Sequence, residues 1–290
     1  MICKPKELFV WVDFRNQKTK AHVLIYGNDS KKPQVLCLHG LGSTARESFI
    51  EIAPLLASEF QVVAVDWIGC GESSRLMGPG DSYSSDYCSE WLKDFILSAN
   101  KNGVLYDEFN VFAVSMSAIS IPKNWEVIRK FVKKIVFVNP LGMDTRINRI
   151  LAIALTHPWI NQNKLANLLL SNFMWTYFFK WTKRDQKRLK EGVKNGEFEV
   201  LVRYAKAGIL PSGRLMDINI VPGKFKKIKA PILLLASVHD HVFYRRDYLK
   251  FAKTQENWEV VEVDHNDHNC LVAKAKEVAA ETLRFLKDTT

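Results

Sequence analysis

The segment NVFAVSMSAIS (110–120) runs an apolar strand into a serine whose neighbours two positions away on each side, Ala113 and Ser117, are both small. That is the pattern of a nucleophile elbow. A sharp strand-to-helix turn holds such a serine in a strained backbone conformation, and bulky residues at the flanking positions would collide, which is why GxSxG is the usual form. Here the form is AVSMS. Taken alone, a serine after a strand is more often a helix N-cap. Ser117 is the rival nucleophile, but choosing it would put Ile119 where a small residue is needed. Ser115 is therefore the candidate, and its chemistry would be attack on an acyl carbon. That reaction develops an oxyanion, which needs two N–H donors aimed at it. The glycine-rich turn LHGLGST (38–44) ends another apolar run, and the amides of Leu41 and Met116 are the candidate donors. Any strand-to-helix turn favours glycine, so this turn carries less weight than the elbow.

These residues need a scaffold that brings distant turns together. Short apolar runs rich in β-branched residues recur, and helical periods separate several of them, which predicts βα units and a mainly parallel sheet. The expected strands are 34–40, 60–67, 108–115, 134–140, 231–238 and 258–264. Segments 47–59, 86–100 and 273–288 place apolar residues at i, i+3, i+4 and i+7, as helices covering a sheet should. The opening differs: FVWVDF (9–14) and AHVLIYG (21–27), with a polar turn between, read as an antiparallel hairpin at one edge. Pro122 falls inside the helix that should follow Ser115, where it removes a hydrogen bond and predicts a kink or a late start.

From Leu141 to about Ile228 the alternation stops, and only helix-like segments dense in aromatics remain. An α/β core over 1–140 and 229–290 with a helical cap over 141–228 is the expected organisation. Within the cap, NFMWTYFFKW (172–181) is apolar on nearly every side, so Phe173, Trp175, Tyr177, Phe178 and Trp181 are candidate pocket residues as well as candidate cap core. The basic run 180–194 reads as a solvated helix face.

The order of motifs resembles the α/β-hydrolase family. HGLGS follows one strand, DWIGCGESS (66–74) follows the next, and the serine elbow follows the third. The second motif matches the family's DxxGxGxS form through Asp66, Gly69, Gly71 and Ser73. The resemblance covers residues from about 34 to 288, with the cap matching in position but not in sequence. It implies an acid after a later strand, where PILLLASVHD (231–240) supplies Asp240, and a histidine after the last strand. Two histidines stand there. His268 lies ten residues before Val278 in the final helix, the family's usual separation, and is preferred. His265 is the second choice, because Asp267 occupies the place of the glycine that usually precedes the histidine.

The resemblance implies a catalytic triad of Ser115, Asp240 and His268 acting through an acyl-enzyme with neither metal nor organic cofactor. The aromatics of the cap point to a largely apolar ester or lactone as the small-molecule substrate. Thioesters, amides and activated carbon–carbon bonds are alternatives, since one triad serves them all. A haloalkane dehalogenase of this fold would carry aspartate at the elbow. A ligand receptor that keeps the fold without the reaction is the alternative from another class, and the departures at the elbow and Pro122 motivate it.

Composition narrows the rest. With 47% hydrophobic and 25% charged residues over 290 positions, the chain has ordinary globular composition. The net charge of +10 is spread along the chain and accompanies no nucleic-acid module, so no nucleic-acid partner is expected and membrane contact is not favoured. The start has no apolar signal region, no run approaches the roughly 18 apolar residues of a membrane span, and the five cysteines are scattered without metal or redox spacing. A cytoplasmic protein with reduced thiols is expected. Nothing in these residues bears on oligomeric state.

Overall fold

Strands β1 (Lys6–Phe14) and β2 (Gln17–Tyr26) form the expected antiparallel hairpin, and both extend beyond the apolar runs that announce them. Arg15 and Asn16 make the turn with positive φ at both positions, 49° and 62°. In that conformation a two-residue turn matches the right-handed twist of its strands. Arg15 takes it without glycine, and its guanidinium lies over the Tyr87 ring and bonds Glu90.

The computed structural model describes residues 4–27, 29, 31–143, 146–159, 196–208, 222–265 and 267–288. Strands β3 (Gln34–Leu38), β4 (Gln61–Val65), β5 (Phe109–Val114), β6 (Val132–Val138), β7 (Ile232–Ser237) and β8 (Trp258–Val263) complete an eight-stranded sheet in the order β1-β2-β4-β3-β5-β6-β7-β8. β2 meets β4 antiparallel, and every pair from β4 to β8 is parallel.

A parallel sheet needs cover on both faces, and strand alternation supplies two apolar surfaces. Leu36, Leu38, Val63, Val65, Val111 and Ala113 share one core with helices α3 (Ser85–Lys101) and α4 (Ser117–Ile128). Val35, Cys37, Val62, Ala64, Phe112 and Val114 share the other with α1 (Ala45–Phe49), α2 (Ala53–Leu56) and the C-terminal helix α10 (Ala275–Lys287). Because β3, β4 and β5 are buried on both sides, their carboxyl ends are fixed platforms for the turns that follow.

Three expectations change in detail. The single helix expected over 47–59 is two short helices, α1 and α2, because Pro54 lies in the first turn of α2, where a proline starts a helix rather than continuing one. The final helix is likewise preceded by a separate turn, α9 (Cys270–Ala273). α4 starts directly after the elbow and runs through Pro122 without a late start. Burial of Ile119, Ile121, Pro122, Trp125 and Ile128 offsets the hydrogen bond that Pro122 removes.

Between β6 and β7 the described helices are α5 (Arg149–Thr156), α6 (Glu197–Gly208) and α7 (Pro222–Phe225), and no strand is described there. One isolated bridge joins Ile147 to Phe243, just before α8 (Arg245–Ala252). α6 packs on α5 and α3, and α7 on α4. The five aromatic candidates from Phe173 to Trp181 lie outside the described residues. Among the described residues no helix is long and apolar enough to cross a membrane. Cys37, Cys70, Cys88 and Cys270 are free and buried.

Candidate active site

Ser115 closes the turn from β5 into α4 with φ of 55°, the left-handed region that a non-glycine residue enters at a cost of about 1–2 kcal/mol. The neighbours hold it there. Its N–H donates to the Val138 carbonyl at 2.9 Å, and its carbonyl accepts from Leu141 at 2.9 Å and Ala118 at 3.2 Å. Ala113 and Ser117 are fully buried against the turn, which explains why both must be small. Gly40 makes room from the other side, since a Cβ there would stand 3.2 Å from the Ser115 Cβ. Ser117 is committed elsewhere, its hydroxyl donating to the His39 carbonyl.

Asp240 follows β7. Its Oδ1 accepts from the amides of Val242 at 2.8 Å and Phe243 at 3.0 Å, and its Oδ2 lies 2.8 Å from His268 Nδ1. Both side chains are nearly excluded from solvent. The two amides fix the carboxylate, so the carboxylate in turn favours the imidazole tautomer with the hydrogen on Nδ1 and the lone pair on Nε2. The Phe243 ring packs nearly perpendicular to the imidazole, with ring centroids 4.8 Å apart. His265 is used differently: its amide donates to Val263 and its carbonyl accepts from His239, so it closes the turn after β8. Of the two histidines, the structure brings His268 to Asp240.

Asn139, at the end of β6, is a residue that sequence reasoning missed. It is fully buried with φ of 44°. Its Nδ2 donates to Ser237 Oγ at 2.9 Å and to the His268 carbonyl at 2.7 Å, while its Oδ1 accepts from the Ser237 amide at 2.7 Å. The preceding carbonyl, that of Val138, holds the Ser115 amide. One strand end thus positions the serine turn and the histidine loop together. Asp267 donates nothing to the couple; it accepts from the His268 amide, and burial pushes its carboxyl up against that bond.

The DxxGxGxS segment builds the wall behind the Leu41 turn. Asp66 accepts from the Ala45 amide at 2.6 Å, the Glu72 amide at 3.1 Å and His22 Nδ1 at 2.8 Å. Ser73 Oγ donates to the Asp66 carbonyl and accepts from the His22 amide. Burial pushes the Asp66 carboxyl up, but the bond from His22 and those from the two amides outweigh it and hold it below its ordinary value. The same hydrogen bond raises His22 against its own burial. Glu7 and Glu72 complete a group whose ligand atoms lie within 4.8 Å of the His22 nitrogen and of one another, the geometry a divalent cation could use. Glu7 also pairs with Arg46 at 2.6 Å.

A histidine raised in the folded state contributes stability that is complete below its unfolded pKa of about 6.5 and is lost as pH climbs through the folded value. His22→Gln should therefore cost more at pH 6 than at pH 9, by on the order of 1 kcal/mol. Urea unfolding at both values reads the difference. Equal losses at the two would mean that His22 is neutral throughout.

The family described as alpha/beta hydrolase fold matches residues 33–274, well over half of the chain. The chain belongs to the α/β-hydrolase fold family. Within that family its elbow departs from GxSxG at both glycines, while Asp66, Gly69, Gly71 and Ser73 keep the second motif intact. Its fold is similar to that of the enol-lactonase from Burkholderia xenovorans LB400, with 15% identity, a TM-score of 0.71 and coverage of 96% of this chain and 100% of that one. A second similar structure is the 2-hydroxy-6-oxo-6-phenylhexa-2,4-dienoate hydrolase from Rhodococcus sp. strain RHA1, at 18% identity, TM-score 0.72 and coverage of 98% and 100%. A third is the carboxylesterase CesB of Bacillus subtilis, at 16% identity, TM-score 0.67 and coverage of 97% and 92%. At such identities the likeness is one of fold. No curated protein sequence matches the chain.

Proposed function

We propose that this α/β-hydrolase-fold protein is a serine hydrolase of carboxylic esters or lactones that works through an acyl-enzyme. The observation that carries the reading is the Asp240 to His268 couple of 2.8 Å, its carboxylate clamped by two amides, on the same platform as a serine held at positive φ. In this mechanism His268 Nε2 takes the proton of Ser115 Oγ as that oxygen attacks the carbonyl carbon. The Leu41 and Met116 amides bind the resulting oxyanion. Collapse expels the alcohol, which leaves with the proton from His268. Water, deprotonated by His268, then attacks the acyl-enzyme, and the acid departs as Ser115 regains its proton.

We assign residues 141–228 to a cap over this site, with Phe173, Trp175, Tyr177, Phe178 and Trp181 selecting a largely apolar substrate. The mainly helical character of the described part of that stretch supports the first assignment, and composition supports the second. Two of the similar folds belong to proteins called an enol-lactonase and a carboxylesterase, which agrees with the substrate class. Four buried free thiols agree with a reducing cytoplasm.

The test is a fluorophosphonate reagent with mass-spectrometric mapping of the adduct, beside turnover of p-nitrophenyl esters and lactones of graded size. The expected result is one adduct, on Ser115, and rates that rise with acyl length. Folded protein that takes no adduct and turns nothing over would point to a ligand receptor. An adduct with a preference for short polar esters would overturn the apolar pocket alone.

A further inference from the structure

Resting on the hydrolase reading, we propose that Ser117 is a positioning residue for the oxyanion hole: its hydroxyl ties the elbow to the Leu41 turn, at the position where the usual elbow has glycine. Ser117, His39 and Trp67 are buried to 1% exposure or less. The Ser117 hydroxyl donates to the His39 carbonyl, and its oxygen accepts from Trp67 Nε1 at 3.1 Å. The same indole N–H reaches the His39 carbonyl at 2.9 Å, which closes a ring of three groups. His39 is held at its ring as well: Nε2 accepts from the Trp67 amide at 3.1 Å, which leaves Nδ1–H to donate to the Gly40 carbonyl at 2.8 Å.

The consequence follows from the planarity of the peptide group. A trans peptide sets its N–H opposite its C=O, so anchoring a carbonyl aims the amide of the next residue. The Gly40 carbonyl shares its plane with the Leu41 N–H, and the His39 ring anchors that carbonyl. The Ser115 carbonyl shares its plane with the Met116 N–H and is anchored by Leu141 and Ala118. Each donor is thus aimed within its own segment. Ser117 adds the cross-link, joining the residue after Met116 to the residue before Gly40, so that the two donors keep a fixed separation. A glycine at 117 would leave that link to the indole alone.

The experiment compares wild type with Ser117→Ala and Ser117→Gly, each normalised to the fraction of active sites that a fluorophosphonate titrates. An aryl trifluoromethyl ketone is the key ligand, because Ser115 Oγ adds to its carbonyl carbon, the proton passes to His268, and the oxygen becomes an oxyanion. Both variants should lose on the order of 10- to 100-fold in kcat/KM, less than loss of a donor itself. The ketone should lose affinity by the same factor, while KM and the binding of the product acid stay within about twofold. A merely structural role would weaken ketone and acid alike. Trp67→Phe, which removes the indole N–H from the same ring, provides a second reading if either serine variant fails to fold. Active variants with ketone affinity and kcat within twofold of wild type would overturn the Ser117 role and leave the hydrolase reading intact. Wild type that takes up neither reagent would overturn the hydrolase reading itself.

Discussion

Asp240→Asn is expected to lower kcat/KM for an ester substrate by about 10⁴-fold with little change in the unfolding midpoint. The asparagine oxygen keeps the amides of Val242 and Phe243, because those two donors fix which side faces them. Its NH2 then faces His268 Nδ1, which must lose its hydrogen and accept. The proton moves to Nε2, the atom that takes the proton of Ser115 in the proposed mechanism, so that base is switched off while the packing is unchanged. His265→Ala is the matching control, since that residue acts through its backbone and should leave the rate as it is. Steady-state kinetics and a urea titration of the three proteins decide the matter. A loss below tenfold for Asp240→Asn would mean that the couple does not orient the base.

The largest expected effect on stability comes from the DxxGxGxS turn. Gly71 has φ of 52°, and a Cβ there would lie 2.0 Å from Asp66 Oδ2 and 2.4 Å from its Cγ. Gly71→Ala therefore displaces the carboxylate from the Ala45 and Glu72 amides and from His22 together. Left-handed backbone costs an alanine about 1–2 kcal/mol, and breaking a buried charged cluster adds about 3–5 kcal/mol. Gly103→Ala separates the two terms, because its φ is 69° and nothing lies within 4 Å of its added Cβ. Gly71→Ala should fall by several kcal/mol more than Gly103→Ala in urea unfolding. Equal losses would show that the Asp66 cluster tolerates disruption.

Much of this site is local in the sequence, and the local part was legible. The small residues at 113 and 117 foretell a tight turn at Ser115, and its positive φ is the structural form of that expectation. The strands were legible for a similar reason: runs such as Val35–Leu38 are apolar at every position because both faces of a parallel sheet are covered. Helix ends were less so, and Pro54 is the example, since one apolar period spans two helices. Asn139 was beyond reach. Its partners are 98 and 129 positions away, and a lone asparagine after an apolar strand carries no sign of what it will meet. Which of His265 and His268 meets Asp240 depends on the fold of two loops, and it is His268 that lies 2.8 Å from the carboxylate. Ser117 is intermediate: its size was readable, but the purpose of its hydroxyl depends on Trp67 from another turn.

The insertion leaves the sheet through Asn139 and Leu141, and both are fastened to the chemistry, one to the His268 carbonyl and the other to that of Ser115. If Ser115 and His268 act as proposed, its root is part of the reaction centre. A transplant of a foreign insertion onto this scaffold would have to begin beyond Leu141. A splice made earlier, however well the new segment folds, would unseat the machinery it was meant to re-aim.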